Sequence, residues 1–230
     1  MTKKILSIIV AIIITVTPMH VYAQSEKENR FSDVPVGHWA DSFIHQLRDL
    51  EITKGVTENE FGMGREITRA QFVTFLVRLK QWNIVTPQNA SFSDIRNSDW
   101  YYSSIETAVA NKVIQVNDFE FRPLDDITRE EMATMIINTL GYNELAELYD
   151  ESSSFTDVNE YIGYIELLNS FGIVNGKGNG IFAPKDTAKR EEAAAILIRM
   201  YNKINNEVKS RNALYADSSY SQMDEMQYFN

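Results

Sequence analysis

The chain has 230 residues, with 22 lysines and arginines against 32 aspartates and glutamates, three histidines and no cysteine. A net charge of −10 argues against nucleic acid as a partner, since that binding relies on a basic face that neutralises phosphates. The lack of cysteine excludes disulfide staples, thiolate catalysis and cysteine-based zinc sites, so burial must hold the fold, and a 44% hydrophobic composition suffices for that.

Lys3 and Lys4 precede an apolar run from Ile5 to Val16, then Pro18 and the small-residue ending Val21-Tyr22-Ala23. This is the layout of a secretory signal peptide over residues 1–23, removed after Ala23. The run is shorter than the roughly 20 apolar residues of a spanning helix, and no later segment qualifies, so no membrane span is expected once the signal is gone. Removal leaves 20 basic against 32 acidic side chains, a net charge of −12. An acidic ligand therefore has to be held by cationic pockets acting locally, within a screening length. Residues 24–30 read as a polar leader.

From there the chain repeats itself. Ile67-Thr68-Arg69-Ala70-Gln71 returns as Ile127-Thr128-Arg129-Glu130-Glu131 and, altered, as Ala188-Lys189-Arg190-Glu191-Glu192, with arginines 60 and 61 residues apart. A fixed internal period means one unit copied and packed on itself. The units span 31–86, 92–143 and 155–204, and residues 205–230 read as an acidic, mobile tail behind a frayed helix end.

Each unit opens with an aromatic, a hydroxyl residue, an aspartate and a β-branched residue: Phe31-Ser32-Asp33-Val34, Phe92-Ser93-Asp94-Ile95 and Phe155-Thr156-Asp157-Val158. Such an aspartate suits a helix entry, where its side chain takes an unpaired backbone N–H. A first helix follows, carrying Trp39, Phe43, Ile44 and Leu47 in unit one and Trp100, Ile105 and Ala108 in unit two. Unit three is three residues shorter before its matching Ile165 and has lost the tryptophan; Tyr161 and Tyr164 lie nearby out of alignment. A turn comes next, with Gly55 in unit one, Gly176 in unit three and Val116 in unit two, and glycine there would permit φ > 0. Each loop closes on Phe61, Phe121 or Phe182, eight residues before its arginine, a spacing that fits an aromatic plug.

The second helices are better marked. Phe72, Val73, Leu76 and Leu79 define one face, as do Met132, Ala133, Ile136 and Leu140, and Ala194, Leu197, Ile198 and Tyr201. Thr68 with Gln71 and Thr128 with Glu131 fit capping boxes. Unit three has Lys189 in the threonine position, which weakens its cap or moves it to Asp186 or Thr187. A two-helix unit cannot bury its apolar face alone, so three are expected to share a core in an all-α, compact, pseudo-threefold bundle with short loops; a short strand pair in the loops stays open.

Arg69, Arg129 and Arg190 fall at the first position of their helices, which disfavours a cation by a few tenths of a kcal/mol. Two explanations remain. Each arginine pairs with the aspartate of a neighbouring unit and locks the assembly, or guanidinium and helix N-terminus together form a pocket for a carboxylate. Trp39 and Trp100 are equally open between core anchor and sugar-stacking surface.

The opening Phe-Ser-Asp-Val, the Trp-bearing first helix, the Ile-x-x-Gly turn, Phe121-Arg122-Pro123, Phe182-Ala183-Pro184 and Ile-Thr-Arg-Ala/Glu-Gln/Glu, in triplicate from Phe31 to Lys203, resemble S-layer homology domains. The resemblance implies a non-catalytic module that binds a secondary cell wall polysaccharide, typically bearing pyruvylated sugars, and so holds an exported protein on a Gram-positive-type cell wall. It implies ligand binding by Arg69, Arg129 and Arg190, helped by Asp33, Asp94 and Asp157, by Gly55 and Gly176, and by Trp39 and Trp100. Arg69 and Arg129 match the motif well. Arg190, without its threonine, is expected to be weakened or purely structural, so that one or two grooves bind.

Other classes fit less well. A hydrolase needs two carboxylates facing across a cleft, whereas Glu130-Glu131 and Glu191-Glu192 sit where acids favour a helix start. Val116-Asn117-Asp118 and Gly176 to Gly180 lack the dense acids of a calcium loop, and the histidines form no ligand spacing. No metal or cofactor is expected, and the protein is read as a monomer. The alternative function is an envelope scaffold that binds another envelope protein, with the arginines acting structurally.

Overall fold

The computed structural model describes residues 30–149 and 152–227, with side chains followed to Asn212. The signal peptide and all of the leader before Arg30 lie outside the described residues. The described chain is all-α, with helices α1 (Asp41–Asp49), α2 (Arg69–Lys80), α3 (Tyr102–Ala110), α4 (Arg129–Leu140), α5 (Asn143–Glu147), α6 (Ile162–Ser170) and α7 (Arg190–Gln227). No described helix is long and apolar enough to cross a membrane. Among the described residues the loops contain isolated bridges and no strand, so the strand pair left open above does not form there.

The long helices start where their threonines put them. Thr68 accepts from the amide of Gln71 at 3.3 Å and Gln71 returns a bond to the Thr68 amide at 3.3 Å; Thr128 and Glu131 do the same at 3.3 and 2.9 Å. In unit three only half of this box survives, with the Glu192 carboxylate on the Lys189 amide at 2.9 Å. Burial is broader than one face. Phe75 and Val77 join Phe72, Val73 and Leu76 in the core, because α2 is covered by α3 on one side and α7 on another. α7 continues as helix to Gln227, through most of the segment read as a tail.

The units are joined in a cycle. α3 packs on α2, α6 on α4 and α1 on α7, so the first helix of each unit lies on the long helix of the unit before it, and unit one lies on unit three. The residue two places before each arginine completes a ring: the Ile127 amide donates to Ile67 at 3.0 Å, Ile67 to Ala188 at 3.0 Å, and Ala188 to Ile127 at 3.1 Å. These three side chains are fully buried, so the ring closes in the apolar centre, where an unpaired amide would be costly.

The plugs tie each loop to this centre. Phe61, Phe121 and Phe182 are buried and meet the opening rings Phe31, Phe92 and Phe155 at centroid separations of 5.8, 5.4 and 5.4 Å. Gly55 has φ +89°, and a Cβ there would come within 2.4 Å of the Glu60 carbonyl. At Gly176 the reason is space: a Cβ would lie 2.6 Å from both the Ile181 carbonyl and the Phe155 ring.

Candidate functional site: three unequal grooves around the arginines

The opening aspartates serve their own loops. Asp33 accepts from the amides of Phe61, Gly62 and Met63 at 2.7, 2.7 and 2.8 Å; Asp94 accepts from Phe121 and Arg122 at 2.8 and 2.7 Å; Asp157 accepts from Phe182 and Ala183 at 2.8 and 2.7 Å. Turning two consecutive amides toward one carboxylate puts the residue after the plug in the left-handed region, with φ +88° at Gly62 and +59° at both Arg122 and Ala183. Burial pushes the Asp33 carboxyl up, but its amide donors together outweigh that and hold it below 3.8. At Asp157 the Phe182 amide is the largest influence and the carboxyl is likewise depressed.

The arginines reach across units, but to plug carbonyls and not to those aspartates. Nε of Arg69 donates to the Phe121 carbonyl at 2.9 Å, Nε of Arg129 to Phe182 at 2.8 Å, and Nε of Arg190 to Phe61 at 3.0 Å. Each guanidinium also lies over the ring of the same phenylalanine, 4.7, 4.5 and 5.0 Å from its centroid. The aspartate is already filled by amides, which is why the sequence expectation of an Arg–Asp pair is not met among the described residues.

The helix N-termini are also filled. The amides of Arg69 and Ala70 donate to Asp125 and Pro123 at 2.9 and 3.0 Å, those of Arg129 and Glu130 to Asp186 and Pro184 at 3.0 Å each, and that of Arg190 to Arg65 at 3.0 Å. These five donors are therefore spent on the neighbouring unit.

Three grooves run past the arginines. The Arg190 groove, about 690 Å³, is lined by Lys54, Gly55, Gln71, Arg78 and Trp100. The Arg129 groove, about 220 Å³, is lined by Trp39, Gly176, Lys177, Glu192 and Arg199. The Arg69 groove, about 440 Å³, is lined by Glu130, Glu131, Arg122, Asn138, Tyr161 and Tyr164. A further depression of about 780 Å³ near Arg48 and Gly55 contains none of the three arginines. The structure thus brings Arg190, Gly55 and Trp100 together, and Arg129, Gly176 and Trp39; Asp33, Asp94 and Asp157 line none of these grooves. Trp39 and Trp100 are 53% and 59% exposed, so they are rim residues rather than core anchors.

Tyr161, set aside in the sequence as out of alignment with the tryptophans, belongs with the groove residues. At 47% exposed, just before α6, it stands on the Arg69 groove as the tryptophans stand on the other two. The shortened third unit hides it from a residue-by-residue alignment. The usable signal was an aromatic one or two places before the first helix of each unit.

Charge separates the grooves. All three arginines are buried residues, with exposures of 9% for Arg69, 7% for Arg129 and 4% for Arg190. Arg69 is ion-paired with Glu131, whereas Arg129 and Arg190 have no carboxylate partner among the described residues. Their remaining bonds go to neutral oxygens, Arg129 to the Asn175 carbonyl at 3.0 Å and Arg190 to the Gln71 side chain at 3.1 Å. Burial lowers all three, Arg190 to about 10, which leaves each charged at neutral pH. Glu192, Asp186 and Asp157 act on Arg129 from further away, as Asp33 and Glu191 do on Arg190, and offset part of the cost of burial, but neither guanidinium has a carboxylate bonded to it.

Known proteins share this arrangement in sequence. The family profile described as S-layer homology domain matches residues 30–73, 91–133 and 154–194. The chain is 32% identical over 192 residues to an amylopullulanase of Thermoanaerobacterium thermosulfurigenes, covering 80% of this chain and 10% of that protein. It is 30% identical over 187 residues to the S-layer protein EA1 of Bacillus anthracis, covering 76% of this chain and 21% of that one. A surface layer protein of Brevibacillus choshinensis is 29% identical over 146 residues, covering 61% of this chain and 13% of its own length. The chain therefore spans only a small part of the relatives it matches, and what it matches is the repeat region: it belongs to the S-layer homology domain family.

Proposed function

We propose that the protein binds an acidic, pyruvylated secondary cell wall polysaccharide in the Arg129 and Arg190 grooves. Family membership makes it an anchoring module of the cell surface, and this proposal says how it holds on. It also takes the cyclic contacts of the three units as a pseudo-threefold bundle whose inter-unit seams are the binding grooves. The observation that carries it is the pair of buried arginines without a bonded carboxylate, each set among further cations and beside an exposed tryptophan. Lys54 and Arg78 accompany Arg190 against Glu51; Lys177 and Arg199 accompany Arg129 against Glu192. Each lining holds three cations to one acid on a protein that is strongly negative overall, and because Lys177 is paired with Asp186 at 2.6 Å the excess is larger at Arg190. A ketal carboxylate would give each guanidinium a direct partner by charge-assisted bonds, while the sugar ring stacks on the tryptophan. The chemistry is binding alone.

This order places Arg190 above Arg69, the reverse of what their motifs alone imply. The test is co-sedimentation of the secreted protein with purified walls before and after extraction of the non-peptidoglycan polymer. Binding should vanish on extraction and weaken by roughly tenfold or more in Arg129→Met and Arg190→Met. Undiminished binding to extracted walls would assign the anchor to another wall component, with an envelope protein as the next candidate.

A further inference from the structure

The Arg69 groove differs from the other two at positions that can be compared one by one. The residue two places after each helix-opening arginine is Gln71, Glu131 or Glu192, and each caps its own helix start by accepting from the amide three residues back. Gln71 offers Arg190 a neutral amide oxygen. Glu192 lies outside ion-pair distance of Arg129. Glu131 is bound as Gln71 is, by the arginine crossing from the neighbouring unit, but as a carboxylate, and its Oε1 is held a second time by Nη2 of Arg122 at 2.8 Å.

Arg122 supplies that second hold. It occupies the left-handed position after the plug, where the other units have Gly62 and Ala183, neither with a side chain able to reach across. A second difference lies about two turns further along the helix. Nη1 of Arg78 donates to the Ile52 carbonyl at 3.0 Å and Nη1 of Arg199 to the Ile173 carbonyl at 3.3 Å, while in unit two Asn138 makes the same bond to Val113 at 2.9 Å without bringing a charge. The Arg69 lining carries four acids, Asp118, Glu130, Glu131 and Glu147, against two arginines, with Glu130 also paired to Lys185 at 2.7 Å, where each other lining carries one acid against three cations.

We propose that Glu131 is a built-in carboxylate ligand, seated on Arg69 by Arg122, which with Asn138 closes this groove to the anionic polymer that the other two grooves take. The inference rests on the reading under Proposed function. Arg69 needs no counter-ion from outside, because its own chain supplies one. An incoming carboxylate would have to displace Glu131 from two guanidiniums and then face the surrounding acids. The pair Glu131→Gln and Asn138→Arg transplants the side chains of unit one, Gln71 and Arg78, into unit two. Both keep the bonds that matter for folding there, since Gln71 completes a capping box and Arg78 bonds the turn carbonyl.

The test uses the secreted protein with isotope-labelled arginine and reads the Nε–H signals of Arg69, Arg129 and Arg190. The probe is the methyl glycoside of a pyruvate-ketal hexose, with the plain methyl hexoside as control. In the natural sequence Arg129 and Arg190 should titrate and Arg69 should stay fixed. In the double variant Arg69 should titrate as well, within about tenfold of the Arg190 midpoint, which corresponds to about 1.4 kcal/mol. The single Glu131→Gln variant serves if the double one melts early, and should show a weaker response of Arg69 alone. Arg69 titrating alongside the others in the natural protein overturns the inference, as does an Arg69 that stays fixed in folded variants while the other two move. Should no arginine move in any form, the anionic-polymer reading fails and this inference falls with it.

Discussion

Nε of Arg190 donates to the carbonyl of Phe61 at 3.0 Å across 129 residues of chain, closing unit three onto unit one. The same guanidinium lies 5.4 Å from the Phe75 centroid and bonds Gln71, so one side chain touches the plug and the long helix of its neighbour. Arg190→Met keeps the apolar stem and removes the donors. It leaves a buried carbonyl unpaired, at about 1–3 kcal/mol, partly offset by relief of an unpaired buried cation. A net destabilisation of about 1 kcal/mol in urea unfolding is expected, together with loss of binding in that groove. Unchanged stability would show that the ring of backbone bonds alone closes the molecule.

Acid should loosen the loops before the helices. The carboxyls of Asp33, Asp157 and Glu131 are all depressed: at Asp33 and Glu131 burial pushes up and is outweighed by amides and, for Glu131, by Arg69, while at Asp157 the Phe182 amide leads. A carboxyl depressed in the folded state adds stability that is fully present above its unfolded value and is lost as pH falls through its folded one. Stability should thus be flat above about pH 5 and fall below about pH 4. Asp33→Asn should cost about 1 kcal/mol at neutral pH and flatten part of that slope, read from urea midpoints at about pH 6 and about pH 3.

Much of the fold was legible because periodicity and caps act locally. The capping boxes at Thr68 and Thr128, the plug phenylalanines and the long helices follow from residues within a turn or two of each other. The site was less legible, since its chemistry depends on which carboxylate faces which guanidinium across units. Nothing local to Arg69 signals that Glu131, 62 residues on, reaches it, or that Arg122 holds that carboxylate in place. The same holds for Arg190: its altered motif removes a threonine cap but leaves its inter-unit bond and its unpaired charge intact.

The tryptophans separate binding from folding. Both are more than half exposed, Trp39 beside His38 and Trp100 edge-on to Tyr101. Trp100→Ala should change unfolding free energy by less than about 0.5 kcal/mol, as surface substitutions do. Loss of a stacking face worth about 1 kcal/mol should weaken polymer binding about fivefold. Tryptophan fluorescence of the natural protein should respond to the pyruvate-ketal glycoside, and a response that survives in a Trp39→Phe, Trp100→Phe protein would assign it to Trp82 instead.

The two turn glycines should fail for different reasons. At Gly55 an alanine meets both a left-handed backbone and the carbonyls of Glu60 and Thr57 at 2.4 and 2.5 Å. At Gly176 no positive φ is required, but the Phe155 ring and Ile181 carbonyl at 2.6 Å occupy the space. Both substitutions should destabilise by about 2 kcal/mol or more, through strain and displacement of the opening phenylalanine. They part in rescue. Phe155→Leu frees room beside residue 176 and should recover part of the Gly176→Ala loss, whereas Phe31→Leu should recover little at Gly55→Ala, where backbone oxygens remain in the way. Because each turn borders a groove, both variants should also weaken polymer binding in wall co-sedimentation, and Phe155→Leu should restore it only for Gly176→Ala.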